Sequence, residues 1–152
     1  MKIAALMIGC GALLTAGVAL ANVPVQNAGL VVGKWSLRQF QGRSIKHADP
    51  EAATLRFLAN NRIVGTAACN DVGGDEVTWS ADLSGAKGAF ARNQAVATIT
   101  TTVGCANASS MKTGSRFWTR MSDAHDWSLR GKTLTIRFAD GATALLLTKA
   151  DS

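Results

Sequence analysis

The sequence predicts an α+β domain: an antiparallel, barrel-like sheet with a C-terminal β-meander and one helix packed on it near residues 109–121. Three observations carry this expectation. The C-terminal stretch "DWSLRGKTLTIRFADGATALLLTKA" holds three strand-like runs, separated by Gly131-Lys132 and Asp140-Gly141. Both dipeptides suit tight hairpin turns, which demand positive φ. Alternation of apolar and polar residues recurs upstream, as half-buried strands require. Only "NASSMKTGSRFWTRMSD" (107–123) breaks the period of two.

At the N-terminus, "MKIAALMIGCGALLTAGVALA" carries one charge, Lys2, then an apolar run closing on the small-x-small pattern Ala19-Leu20-Ala21. This is the pattern of a secretory signal peptide cleaved after Ala21, which places the mature chain in the periplasm or outside the cell. The run is short for a membrane span and no stop-transfer flank follows. Cys10 lies too near Met1 to leave a normal hydrophobic region before a lipidation site.

Residues 22–29 read as a flexible leader and 30–150 as a single domain, long enough for one core. Without Lys2 the chain keeps 15 basic against 10 acidic residues, a net charge of +5. The basic residues are scattered along the sequence, so no nucleic-acid footprint is read there. Within the domain, "LVVGKWSLRQF" (30–40) alternates as a strand, and the polar "QGRSIKHADPEA" (41–52) reads as a loop. "TLRFLANNRIVGTAA" (54–68) is a hairpin candidate, because Asn60-Asn61 tolerates the left-handed conformation. Between Gly73 and Gly88 only a short strand at "VTW" (77–79) is expected, and "GAFARNQAVATITTT" (88–102) holds one or two strands.

In the helical segment, Met111, Phe117, Trp118 and Met121 share one face, while Lys112, Arg116 and Arg120 recur four apart on another. Ser109 or Ser110 is the expected N-cap. Gly114 within this helix should cost about 1 kcal/mol against alanine.

Several of these stretches together resemble the META domain family, whose members include HslJ-like heat-shock and envelope proteins. "GKWSL" (33–37) is similar to the opening strand. "TLRF" followed by "RIVGTAACNDVGG" resembles the family's strand, Gly-Cys-Asn and glycine motif. "TTVGC" (101–105) is similar to its Thr-x-x-Cys segment, and "FWTRM" with "WSLRGKTLTI" to the closing helix and hairpin. Two positions depart from the pattern: Ala68 stands where a glycine usually precedes Cys-Asn, and Gly114 where a helix glutamate is common.

The resemblance implies an exported, non-enzymatic cell-envelope protein that acts by contact with an unidentified envelope component, in stress tolerance. The alternative is a macromolecular inhibitor of a periplasmic protease or lysozyme, its inhibitory element being the 41–52 loop or the turn around Asp75. The expectation is of a monomer without cofactor, metal or nucleic-acid partner.

Cys69 and Cys105 are the two cysteines left after cleavage, and an even pair in an oxidising compartment reads first as a disulfide. A bridge also requires that their Cα atoms approach within about 7 Å, which sequence does not reveal. Cys69 as a nucleophile would need a base, and the histidines, His47 and His125, both sit in polar segments that read as loops. Asn70, Asp71, Asp75 and Glu76 offer oxygens to calcium, but their spacing does not match the twelve-residue calcium loop. His125 between Asp123 and Asp126 reads as a polar connection rather than a zinc site. The structural reading of "GTAACNDVGG" makes Gly65, Asn70, Gly73 and Gly74 a motif turn, with Asn70 capping the backbone in an Asx-type turn. Trp35, Trp118 and Trp127 are expected in the core, and Trp79, beside glycine-rich loops, is the candidate for an exposed contact.

Overall fold

A computed structural model describes residues 28–46, 51–93 and 99–148. A 3-10 turn (Ala28–Leu30) leads into β1 (Gly33–Phe40), β2 (Arg43–Ser44), β3 (Ala53–Phe57), β4 (Arg62–Ala67) and β5 (Asn70–Ala81). These are followed by β6 (Lys87–Arg92), β7 (Ile99–Thr100), α1 (Ala108–Met121), β8 (Ala124–Arg130), β9 (Thr133–Phe138) and β10 (Thr143–Thr148). The expected signal peptide lies outside the described residues, as do 22–27 of the leader.

The sheet closes on itself. Its order is β1-β3-β4-β5-β6-β8-β9-β10, and β10 pairs back onto β1 from Trp35↔Thr148 to Phe40↔Ala144. The result is an antiparallel eight-stranded barrel, to which β2 adds beside β1 and β7 beside β5. The barrel is therefore complete, and the domain is mostly β with a single helix among the described residues. Closure removes the unpaired backbone edges an open sheet would present. Eight strands leave an interior that side chains can fill. Phe57 is buried in the core, with its ring centroid 5.2 Å from Trp79 and 5.7 Å from Trp127, both edge-on.

The C-terminal meander forms as expected: β8, β9 and β10 pair in sequence. Gly131 takes the left-handed conformation (φ +56°) in the first turn, between the paired Arg130 and Thr133. The second connection is longer, with Gly141 at φ +82° and the Asp140 carboxylate accepting from Ala142 N–H. The β3–β4 hairpin also turns where expected, with Asn61 at φ +65°.

The stretch 41–52, expected as a loop, holds the two-residue strand β2, which turns back on β1 through Gln39↔Ser44 and Phe40↔Arg43. Two larger elements also differ from the sequence expectation. The Gly73–Gly88 region is not loop around a short strand, because β5 runs for twelve residues through both Gly73 and Gly74. Its first half pairs with β4 and its second with β6. Between these halves the register jumps from Ile63↔Gly74 to Arg62↔Thr78. Gly74 (φ +150°) lets the strand bend there, a barrel-corner use of glycine.

The second difference is the helix face. Its buried residues are Ser110, Gly114, Phe117 and Met121, whereas Met111 is 36% exposed. Small residues on the buried stripe hid it from a hydrophobicity pattern. The N-cap is Asn107, whose Oδ1 accepts from Ser110 N–H at 3.0 Å, and neither Ser109 nor Ser110. Gly114 is where the helix meets the barrel: a Cβ there would lie 2.1 Å from the Ala52 carbonyl oxygen and 2.9 Å from Ala67 Cα. A glutamate has no room at this position. Phe117, fully buried, meets Phe40 edge-on at 5.9 Å.

Candidate functional site

"GTAACNDVGG" is a hairpin rather than an open loop. β4 ends at Ala67, β5 starts at its partner Asn70, and Ala68-Cys69 is the whole turn. Gly65, Asn70, Gly73 and Gly74, read as turn residues, all lie within strands. Ala68 occupies the left-handed region at φ +53°, which an alanine adopts at a cost of about 1–2 kcal/mol. That is the physical reason a glycine suits this position. Gly65 is required for a different reason: a Cβ would sit 2.7 Å from Trp118 Cζ2 and 2.0 Å from the Thr54 carbonyl oxygen. The bare backbone at Gly65 lets the Trp118 ring approach, and its Nε1 donates to Thr66 O at 2.9 Å.

Cys69 and Cys105 form a disulfide across 36 residues, with their Cα atoms 5.7 Å apart. Asn70 does not make an Asx-type turn. Its Oδ1 accepts from Val103 N–H at 2.6 Å, and its Nδ2 donates to Val103 O at 3.0 Å. The side-chain amide thus substitutes for one peptide unit of a pairing strand. Asp71 continues the pairing, donating its N–H to Thr101 Oγ1 and accepting at its carbonyl from Thr101 N–H. The bridge and the Asn70 clamp therefore seat the "TTVGC" segment on the start of β5, just ahead of the Asn107 cap. Nothing local in the sequence ties Asn70 to partners more than thirty residues away.

Beside this corner lies a hollow of about 370 Å³ between α1 and the sheet. Ile63, Val72, Val77, Trp118 and Met121 give it an apolar lining, and the Glu76–Arg92 ion pair (3.1 Å) adds charge. Thr119 and Ser122 contribute from the helix, their hydroxyls donating to the carbonyls of Ser115 and Thr119. Its size and mixed lining fall within the range of small-molecule sites.

The other sequence candidates lie elsewhere. Trp79 is 2% exposed, so the expectation of an exposed contact is corrected: it is a core residue whose Nε1 donates to Leu58 O. Alternation within β5 turns it inward despite its glycine-rich neighbours. Trp35 and Trp127 are buried as expected, while Trp118 is half-buried at the hollow. His125 is on β8, not in a loop, and pairs with Asp126 at 2.9 Å; Asp126 also takes a bidentate contact from Arg137. Burial raises the Asp126 carboxyl, but bonds from Arg137 and His125 outweigh it and hold it below its ordinary value. Asp71 and Glu76 lie along the extended β5, and among the described residues no group of three or more His, Cys, Asp or Glu side chains converges on a metal-sized site. His47 and the Asp75 side chain lie outside the described residues.

The family model of the META domain matches residues 28–151. Among solved structures, one titled "NMR structure of the protein from Burkholderia xenovorans" is similar, with a TM-score of 0.52 and 16% identity. The alignment covers 90% of this chain and 97% of that one, and at this identity it speaks for the fold alone. No curated protein matches the chain.

Proposed function

The chain belongs to the META domain family, and from that premise we propose an exported cell-envelope protein that acts by binding an envelope component, without a catalytic step. The observation that carries the reading is the hollow between α1 and β5, an apolar-lined recess with a charged pair. The motif residues around it have structural duties: Cys69 is bridged, Asn70 is spent on Val103, and Gly65 makes room for Trp118. Export to the periplasm rests on the N-terminal pattern, and a part in stress tolerance on family likeness.

The test begins with N-terminal sequencing of protein recovered from the envelope fraction, expected to start at Asn22; an intact Met1 refutes export. Protein immobilised in parallel with a Thr119→Trp variant is then exposed to envelope extract. Thr119 is exposed on the helix lip, so the indole should fill the hollow without unfolding the domain. A component retained by the wild type and lost with the variant is expected. Equal retention by both refutes the site.

A second reading, inhibition of a periplasmic hydrolase, is favoured by one feature. Leu83 is 87% exposed on the β5–β6 connection. The connection is held by Asp82, whose carboxylate accepts from the Ser84 hydroxyl and N–H, and Gly85 N–H returns to Asp82 O. A rigid turn presenting an apolar side chain binds at low entropic cost. An inhibitor would titrate one hydrolase stoichiometrically, and Leu83→Asp would abolish the titration.

A further inference from the structure

A second hollow, of about 660 Å³, lies on the other flank of α1, between the β1–β2 hairpin and the first turns of the helix. Arg43, Lys46 and Arg116 line it, and no carboxylate is among its described lining residues. Most other arginines on this domain are neutralised: Arg38 by Glu51, Arg92 by Glu76, Arg120 by Asp123 and Asp140, and Arg137 by Asp126. Arg43, Lys46 and Arg116 have no ion pair among the described residues. Among the described residues, Arg116 donates to the neutral Gln41 Oε1, at 3.2 Å. Gln41 holds that guanidinium from a left-handed backbone position (φ +50°), where a glycine would be more comfortable. Ser109, Ser110 and the Asn107 cap bring the start of α1 to the same recess, and the first turn of the helix carries no acidic residue.

Three like charges around one recess repel each other, and an anion relieves that repulsion while accepting charge-assisted hydrogen bonds. Two guanidinium forks and an ammonium suit a tetrahedral oxyanion better than a planar carboxylate, which one fork can satisfy. The recess also exceeds the size of a bare ion. We propose that this cleft binds a phosphate-bearing ligand, with Arg43, Lys46 and Arg116 holding the phosphate oxygens and Gln41 positioning Arg116. The proposal concerns a site apart from the first hollow and does not rest on the reading given to that hollow. The same chemistry is presented by an anionic lipid headgroup and by a soluble phosphate compound.

The experiment uses the protein as recovered from expressing cells, with its disulfide intact. In one arm, inorganic pyrophosphate is titrated and backbone amide shifts are followed by NMR. In the other, the protein is sedimented with phosphatidylglycerol or phosphatidylcholine vesicles. Saturable shifts confined to 41–46 and 107–116, or sedimentation with phosphatidylglycerol only, support the proposal; the arm that responds identifies the source. Arg43→Gln with Arg116→Gln should weaken the response at least tenfold and leave the melting curve in place, since both side chains are exposed. Absence of a saturable response in both arms overturns the proposal, as does a wild-type-like response from the double variant. Shifts centred on Lys34 and Arg56 overturn it without recourse to any variant.

Discussion

Gly114→Ala separates helix propensity from packing, because the two predict opposite signs. In an exposed helix the change would stabilise by about 1 kcal/mol, since alanine loses less backbone entropy. In this fold the added methyl would lie 2.1 Å from Ala52 O, 2.9 Å from Ala67 Cα and 3.0 Å from Ala68 N. All three are backbone atoms, and two of them bond each other: Ala68 N–H donates to Ala52 O at 3.0 Å. Neither can swing aside as a side-chain tip would. The helix must instead move away from the barrel, which pulls Phe117 and Met121 from the core. Overpacking of this kind costs about 1–3 kcal/mol, and it exceeds the propensity gain. A net loss of about 2 kcal/mol is expected from urea melts with an unchanged slope. Ser115→Ala, exposed and adjacent, should stay within about 0.5 kcal/mol of wild type. A neutral or stabilised Gly114→Ala would show that α1 does not rest on Ala52 and Ala67.

Cys69→Ser should cost about 4 kcal/mol from the entropy of a 36-residue closure, and adding Cys105→Ser should cost little more, read as melting temperatures. Two free thiols in the native oxidised protein would contradict the bridge. Ala68→Gly should stabilise by up to about 1 kcal/mol by relieving the φ of +53°, offset in part by the flexibility glycine adds to the unfolded chain; a destabilised variant would refute the strain. For pH, burial raises the Glu51 carboxyl, but bonds from Ser36 and Arg38 and the nearby Arg38 charge outweigh it and leave it below its ordinary value. Its contribution is therefore complete above the ordinary carboxylate range and is lost as the pH falls through the depressed folded value. Glu51→Gln should flatten the acid limb of the urea midpoint against pH, and an unchanged limb would refute the linkage.

Local chemistry was legible where turns are made by the residues that form them. Asn61 and Gly131 adopt the left-handed conformations their types suggest, and the meander follows. β5 was hidden because Gly73 and Gly74 have weak strand propensity of their own. They are strand residues because β4 and β7 supply hydrogen-bond partners on either side. Trp79 was misplaced for the same reason, since the rings that enclose it come from Phe57 and Trp127, on strands distant in sequence. The basic residues read as scattered, yet Arg43, Lys46 and Arg116 line one recess once the β1–β2 hairpin and α1 are in place. The even cysteine pair was legible; the amide clamp of Asn70 beside it was not, because its partners are defined only by folding.

That clamp links the two hollows. Both use α1 as a wall: Ser115, Trp118 and Thr119 face the first, and Ser109, Thr113 and Arg116 face the second. The helix is attached to the barrel at its middle, through the close approach at Gly114, Phe117 below it and the Trp118 Nε1 bond to Thr66 O, and at its start, through the tethered segment that ends in the Asn107 cap. The Cys69–Cys105 bridge and the Asn70 bonds to Val103 hold that second attachment. Loosening it frees the start of α1 while Gly114 and Phe117 still anchor its middle. Ala67, Val72 and Thr100 beside that corner line the first hollow, and Asn107, Ser109 and Ser110 at the start of α1 line the second, so the disulfide bears on both.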